Sequence, residues 1–210
     1  SELRRRDRLL LSKDATIREI HHRVKNNLQT ISSLLRLQGR RLDSAEAKAA
    51  VEESSRRIRS IALVHETLSR EAGDDVPFIE IARELSRMVE EGLVDPNRPF
   101  RVQVSGDVGA VPAAPATSMA VVLNELLQNV VDHAFPAGSA SDGAPGWVEV
   151  RMWRDDDRIE ITVEDDGVGL PDDFDLDSST GLGLSIVRTL VETELGGELT
   201  LERAGGTRPR

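Results

Sequence analysis

Two adjacent histidines, His21 and His22, are the first residues in this chain whose surroundings suggest chemistry. Apolar residues recur around them at steps of three and four, the spacing of a helix that buries one stripe: Ile17, Val24, Leu28, Ile31 and Leu35. His21 falls on this stripe, which predicts a seam residue. His22 is turned about 100° away and shares its side with Glu19 and Asn26. An exposed imidazole beside a carboxylate and an amide can act as a nucleophile, so His22 is the better candidate for covalent chemistry.

A second group of functional side chains lies on a predicted helix in the later part of the chain. Glu125, Asn129 and His133 are spaced by four and would share one face of that helix, while leucines and valines cover the opposite face. A carboxylate, an amide and an imidazole in a row could hold a hydrated Mg²⁺ and position phosphates. Taken alone, the same pattern is more simply a solvated helix face.

Two glycine-containing runs follow this helix. The first run, Asp165-Asp166-Gly167-Val168-Gly169, comes after a predicted strand; its glycines would let a ligand approach the backbone, and Asp165 could accept a hydrogen bond from an exocyclic amine such as that of adenine. The second run, Thr180-Gly181-Leu182-Gly183, leads into a helix, where backbone N–H groups can cradle a phosphate. Either run alone is a weak signal. No Gly-x-x-x-x-Gly-Lys-[Ser/Thr] run occurs, which excludes a P-loop.

The elements that must position these residues form two groups. Residues 3–41 predict one long helix, and a second helix follows, capped by Asp43 or Ser44. Two such helices make an antiparallel hairpin, which buries too little surface alone and predicts a four-helix bundle in a homodimer. His65 is predicted to lie on the seam of the second helix. A break at residues 73–77 predicts the boundary between a helical domain, residues 1–72, and a second domain, residues 73–210.

The second domain alternates between helical and strand patterns. The whole chain is therefore predicted to be α+β, with a two-layer α/β sandwich and a largely antiparallel sheet after the hairpin. Helices are predicted at residues 78–92, 116–135 and 181–195, and strands at residues 100–104, 147–153, 158–164 and 198–202.

Composition excludes several classes of protein. The chain of 210 residues has no cysteine, no apolar run long enough for a membrane span and no signal peptide pattern, so a cytoplasmic location is expected. Residues 1–70 carry a net charge of +7 and the remainder carries −17. The basic half lacks the interleaved aromatic residues that favour direct nucleic-acid binding, and it predicts a platform for acidic protein partners. Because the chain starts at Ser1 in helical sequence, upstream sensor domains are expected in a longer protein.

Together, the three later segments resemble the ATP site of the GHKL, or Bergerat-fold, family, and the chain resembles sensor histidine kinases. Residues 125–135 look like the N box, 165–169 like the G1 box and 181–183 like the G2 box. The run around His22 resembles the phosphoacceptor segment of the HWE-like subclass, and the whole chain looks like the PdtaS-type kinases. The resemblance implies that His22 accepts a phosphoryl group from ATP and passes it to an aspartate of a response regulator, possibly of the RNA-binding ANTAR type.

The resemblance also implies roles for single residues. Asn129 would be the Mg²⁺ ligand, Asp165 would read the adenine amine, and His133 would approach the phosphates. The remaining residues that would shape the pocket are Gly167, Gly169, Thr180, Gly181, Leu182 and Gly183. Residues 170–180 would form a mobile lid over ATP, with Phe174 as its anchor.

The base that takes the histidine proton is left open between Glu19 and Glu125, and Asn26 could orient a water for dephosphorylation. Arg23 stands where most relatives carry an acidic residue, and Asp132 stands where many carry lysine. The last strand of the family is expected to be lost or cut short at the end of this chain. A competing hypothesis is a GHKL-type ATPase or chaperone-like machine, in which Glu125 activates water and no phosphohistidine forms.

Overall fold

A computed structural model describes residues 2–71, 73–92, 100–135, 146–172, 174, 182–203 and 207–209. The chain divides into two compact units. The first comprises Ser1–Val76 with Ala110–Thr117, and the second comprises Pro77–Gly109 with Ser118–Arg210. Among the described residues, none of the helices combines the length and apolar character needed to cross a membrane.

The first unit is built on a hairpin of two long helices, α1 (Glu2–Gly39) and α2 (Ala45–Arg70). The Ser44 side-chain oxygen accepts a hydrogen bond from the backbone N–H of Ala47 at 3.2 Å, so Ser44 is the N-cap of α2. Helix α2 is most completely buried in its last three turns, where small and apolar residues are frequent. The buried residues there are Ser60, Ala62, Leu63, Val64, Thr67 and Leu68. The two predicted helices are confirmed.

Two very short strands were missed by the pattern analysis. Strand β1 (Asp75–Pro77) pairs with strand β3 (Ala110–Pro112) in a two-stranded sheet. Each strand has three residues, too few for an alternation of apolar and polar side chains to be recognised. Their pairing depends on partners more than thirty residues away, which local patterns do not report.

The second unit contains a three-stranded sheet in the order β2-β4-β5. Helix α3 (Phe78–Gly92) precedes β2 (Phe100–Gly106), and β4 (Gly146–Arg154) is followed by β5 (Ile159–Asp165). The predicted β4–β5 hairpin is confirmed, with Val150 opposite Val163. The sheet is mixed, because β2 runs parallel to β4, a pairing that the expectation of a largely antiparallel sheet did not include. Parallel neighbours need a crossover connection, and a helix lies between these two strands in the chain.

That helix, α4 (Ala113–Asn129), starts three residues earlier than predicted and ends six residues earlier. It continues as a π-helical turn, Val130–Ala134. Its apolar residues are almost fully buried: Ala116, Met119, Ala120, Leu123, Leu126 and Leu127. The last helix, α5 (Leu182–Thr189), ends in a second π-helical turn, Leu190–Glu194. Such turns are rare and are found mostly at functional sites.

The chain closes with a small antiparallel pair, β6 (Leu201–Arg203) and β7 (Thr207–Pro209). The family's last strand was expected to be lost or cut short; a strand of three residues, β7, is present, and whether it is cut short stays a prediction. Thr207 stands opposite Arg203 and Pro209 stands opposite Leu201. Proline is tolerated there because β7 is an edge strand, in which one backbone N–H is not needed for pairing.

Candidate functional site

His22 is exposed on α1, on the side of the helix that points away from the buried stripe. Its Nδ1 lies 3.4 Å from Nδ2 of Asn26, one helical turn further on. The amide nitrogen and oxygen of an asparagine are assigned from hydrogen bonding, so either can face the ring. The Asn26 amide can therefore hold the imidazole in one orientation and leave Nε2 open to solvent.

His21 has a different environment from its neighbour. It is half-buried, and its Nδ1 lies 3.0 Å from Nδ1 of His65 on α2, with ring centroids 5.2 Å apart. Burial lowers the pKa of the His65 imidazole below its ordinary value of 6.5, and the neighbouring His21 lowers it further. The two rings thus connect the helices of the hairpin. The prediction that both are seam residues is confirmed, whereas their contact with each other was not predicted from the sequence.

Glu19 lies one turn before Arg23, and the two exposed side chains form an ion pair. Arg23 Nε donates to Glu19 Oε1 at 2.8 Å. This hydrogen bond and the charge of Arg23 hold the pKa of the Glu19 carboxyl below its ordinary value, and His22 adds a smaller effect in the same direction. Glu19 is therefore electrostatically coupled to His22, but its carboxylate is engaged by the residue that follows the histidine.

The three residues spaced by four along the later helix differ in their exposure. Glu125 is only 3% exposed, and Asn124 Nδ2 lies 3.5 Å from its Oε1. Asn129 is half-buried and His133 is exposed. Exposure therefore rises from Glu125 to His133 as the α-helix passes into the π-helical turn, and whether the three side chains share one face stays a prediction.

The run that follows β5 is attached directly to this π-helical turn. Asp165 is 2% exposed, and its Oδ1 accepts a hydrogen bond from the backbone N–H of Gly167 at 2.9 Å. The N–H of Val168 donates to the carbonyl oxygen of Ala134 at 2.9 Å. Gly167 packs so tightly that a Cβ there would lie 2.3 Å from the same carbonyl oxygen. Glycine is required by this close approach.

Gly169 is needed for a different reason, since its φ of +73° lies in the left-handed region that other residues avoid. The structure thus joins the end of the α4 segment and the Asp165 run into one site. The other glycine-rich run is described only from Leu182, where α5 begins, with Gly183 inside that helix. Thr180, Gly181 and most of the predicted lid lie outside the described residues.

Phe174, the predicted lid anchor, is half-buried. Its backbone N–H donates to the carbonyl oxygen of Pro171 at 3.1 Å, which closes a turn. Whether it anchors a lid stays a prediction.

The residues at this site fit a nucleotide with a hydrated metal ion. Nδ2 of Asn129 is buried and has no hydrogen-bond partner in the described part of the chain. A buried amide without a partner costs free energy unless a ligand satisfies it, and turning the amide would present its oxygen instead. Within the described ranges, no cluster of three or more His, Asp or Glu residues could hold a metal ion alone. Asn129 is the residue that would contribute to a Mg²⁺ shell completed by phosphates and waters.

Two contacts of this region were missed in the sequence. Asp166 Oδ1 accepts a hydrogen bond from the N–H of Trp147 at 2.7 Å, and the N–H of Asp166 donates to the Trp147 carbonyl oxygen at 3.1 Å. They tie the start of β4 to the glycine-containing run. The β4–β5 hairpin register was a usable signal, because the antiparallel partner of Asp165 is Val148, next to Trp147.

A helical hairpin with an exposed histidine, followed by an α/β unit with a buried aspartate at a glycine-containing turn, defines a class of ATP-dependent kinases. Residues 19–92 match the family model described as histidine kinase. Residues 115–209 match the model described as the histidine kinase-, DNA gyrase B- and HSP90-like ATPase. The chain belongs to the histidine kinase family.

Individual relatives agree with this assignment. The chain is 48% identical over 205 residues to the sensor histidine kinase PdtaS of Mycobacterium tuberculosis, which covers 97% of this chain and 40% of that protein. It is 32% identical over 198 residues to blue-light-activated histidine kinase 2 of Erythrobacter litoralis, covering 91% of this chain and 54% of the relative.

A solved histidine kinase domain of an Erythrobacter litoralis blue-light-activated kinase superposes with a TM-score of 0.63 at 29% identity. The match covers 93% of this chain and 91% of that one. The chain thus spans about 40% of the length of PdtaS but nearly all of this solved kinase domain.

Proposed function

We propose that this chain transfers the γ-phosphoryl group of ATP to His22 and then to an aspartate of a response regulator. The observation that supports the choice of His22 is the contrast between the two histidines. His21 is engaged by His65 inside the hairpin, whereas the ring of His22 is exposed and has its one hydrogen-bond contact among the described residues with Asn26. A nucleophile must be reachable by the phosphorus atom, and only His22 meets that condition.

The two domains divide the work. Residues 1–72 serve as the dimerisation and phosphotransfer domain, and residues 73–210 serve as the catalytic ATP-binding domain. Helix α1 carries four exposed large apolar side chains, and one of them, Leu37, lies about 60° outside the range of the others. Dimerisation is supported by the other three, Ile20, Ile31 and Leu34, which are 46–56% exposed. At about 100° per residue they lie within some 60° of one another, so a second hairpin could cover them together. This gives a four-helix bundle in a homodimer.

The ATP site uses the residues that the second unit brings together. The buried carboxylate of Asp165 accepts a hydrogen bond from the adenine amine, and Gly167 and Gly169 shape the wall beside it. Asn129 and His133 are assigned to the phosphates at the end of the α4 segment. The run Thr180-Gly181-Leu182-Gly183, of which the structure describes only the last two residues, is assigned to the phosphate side of the pocket from its sequence pattern. Mg²⁺, held in part by Asn129, supplies neutralisation of the charge on the phosphate oxygens when it is bound.

In the transfer step, the lone pair of His22 Nε2 forms a bond to the γ-phosphorus while the bond to the bridging oxygen of ADP breaks. The proton on Nδ1 must then leave. We assign its acceptance to Glu19, which lies three residues before His22 on α1 and is electrostatically coupled to it, although Arg23 also binds its carboxylate. Glu125 remains the other candidate, although its burial makes it less accessible. Asn26 orients the ring, and it could orient a water for the reverse hydrolysis.

The partner is a receiver domain, and we propose the ANTAR type on the strength of the 48% identity to PdtaS. The relatives are named as sensor and blue-light-activated kinases, so we also propose that a sensory domain controls this activity and that the reaction takes place in the cytoplasm.

One experiment tests the proposal. The chain is incubated with γ-labelled ATP and Mg²⁺, and the product is tested for an acid-labile, alkali-stable phosphoprotein in the wild type, His21→Gln and His22→Gln. We expect label in the first two and none in His22→Gln. Label that survives in His22→Gln, or phosphate release without labelled protein, contradicts the assignment; the second result would favour a GHKL-type ATPase in which Glu125 activates water.

The base is tested separately. Glu19→Gln is expected to slow autophosphorylation without changing ATP affinity, and Glu46→Gln, which removes an exposed carboxylate from α2, serves as the matched control. An unchanged rate in Glu19→Gln would leave Glu125 as the candidate.

A further inference from the structure

A cavity of about 580 Å³ opens between α1 and α2, close to the turn of the hairpin. Its lining is strongly cationic: Arg36, Arg40, Lys48, Arg56 and Arg59, with Glu52 as the one carboxylate among the described residues that form it. We call this cavity the basic groove. It belongs wholly to the first unit, and nothing in the proposed transfer to His22 uses it.

The cations of the basic groove are not neutralised by the protein. Among the described residues, no carboxylate lies within ion-pair distance of Arg40, Lys48, Arg56 or Arg59. Nε of Arg56 is buried and has no hydrogen-bond acceptor in the described part of the chain. Partial burial lowers the pKa of the Arg59 guanidinium, and the charges of Arg36 and Arg56 lower it further. Like charges held together without an acceptor are the mark of a site for an anion.

The position of the basic groove on α1 separates it from the dimer face. Arg40 follows His22 by eighteen residues, or five whole turns, and Arg36 is about 40° away, so both lie on the flank of His22. Ile31 and Leu34 point between about 120° and 180° from that flank. A second hairpin that covers these apolar residues would leave the basic groove open to solvent.

We propose that the basic groove binds a small polyvalent phosphate, of the pyrophosphate class. Arginine forks match phosphate oxygens in pairs, and one diphosphate group carries about twice the −1.5 to −2 charge of a phosphomonoester, close to the excess charge of the lining. The cavity volume falls within the range of small-molecule sites and exceeds the needs of a single phosphate. The phosphates could belong to free pyrophosphate or to a nucleoside diphosphate.

The test is calorimetric titration of the full 210-residue chain without Mg²⁺, which weakens phosphate binding at the proposed nucleotide site because that site relies on Mg²⁺ held in part by Asn129. Pyrophosphate is one probe. Uridine diphosphate is the other, because its base lacks the exocyclic amine that Asp165 is proposed to read. We expect one site per chain, with affinity reduced at least about tenfold in Arg56→Gln/Arg59→Gln. Binding of pyrophosphate alone indicates free polyphosphate, and equal or tighter binding of uridine diphosphate indicates a nucleotide.

The control is Arg41→Gln/Arg70→Gln, which removes two exposed arginines of the same unit that do not line the groove. We expect its affinity to fall far less than that of the groove variants, because neither side chain lines the groove and exposed charges are partly screened by salt. Arg36→Gln/Arg40→Gln, which changes exposed side chains in the last turn of α1 and just after it, is a second groove variant with little risk to folding. The proposal is overturned if the wild type does not bind either probe at millimolar concentration, or if the control loses affinity as much as the groove variants.

Discussion

Replacing Gly167 by alanine tests the contact that joins the two halves of the nucleotide site. The new Cβ would lie 2.3 Å from the carbonyl oxygen of Ala134 and 2.6 Å from its Cβ, whereas ordinary contacts begin at 3.4 Å. The backbone must therefore move by about 1 Å, which costs about 1–3 kcal/mol in a packed region. The hydrogen bond from Val168 to Ala134, 2.9 Å long, would be lost, at about 1 kcal/mol. We expect unfolding free energy to fall by about 2–4 kcal/mol in total.

Urea unfolding followed by tryptophan fluorescence is the appropriate assay. Both tryptophans of the chain, Trp147 and Trp153, lie in β4, next to the affected turn, so the signal reports on the second unit. With a slope of about 2 kcal/mol per molar urea, the midpoint should fall by roughly 1–2 M. ATP affinity should fall with it, since the same displacement moves the Asp165 loop.

The matched control is Gly197→Ala. Its Cβ would meet Val191 at 3.5 Å, an ordinary contact, and we expect a change within about 0.5 kcal/mol. If Gly167→Ala unfolded at the wild-type urea concentration and bound ATP normally, the close approach of the two segments would be wrong.

Three further predictions concern the hairpin. Because the pKa of His65 is lowered, the unfolded chain binds a proton that the folded chain does not, so the free energy of unfolding should decrease as pH falls through 6.5. Urea midpoints of the wild type and His65→Gln between pH 5 and 8 measure this effect. An equal dependence of the midpoint on pH in both proteins would exclude His65 as the source. Ser44→Ala should destabilise the first unit by about 1 kcal/mol through loss of the α2 cap, seen by circular dichroism, and no change would mean that the cap is made by water. Arg23→Ala should raise the pKa of Glu19 towards its ordinary 4.5, measured by carboxyl NMR titration, whereas an unaltered titration would rule out the ion pair in solution.

Most features of the helical hairpin could be predicted from the spacing of residues within each helix. Steps of three and four placed His21 on the seam and His22 in solvent, and both placements are confirmed. The pairing of His21 with His65 was not read, although an antiparallel hairpin with its turn near residue 43 brings residues at equal distances from the turn together. The contact is a matter of register between two helices, which periodicity within each helix does not specify.

The second unit was less accessible. The β4–β5 hairpin follows from alternation around three consecutive aspartates, and α3 was predicted to the residue. The sequence patterns did not predict three features: the parallel pairing of β2 with β4, the short strands β1 and β3, and the π-helical turns. Each depends on partners distant in the chain or on a local widening of the helix that no single-residue preference signals.

The sequence by itself determined which residues are candidates for chemistry, since residue types and spacing within single helices and turns singled out His22 and the proposed nucleotide-site residues Asn129, Asp165 and Gly167. The tertiary structure alone decided which groups meet. It set Gly167 against Ala134, paired His21 with His65, and gathered five cations from α1, α2 and the turn after α1 into the basic groove. The spacing of residues determines which side of a helix or strand a side chain lies on. Which side chains of different elements come into contact depends on how those elements pack, and packing depends on the whole chain.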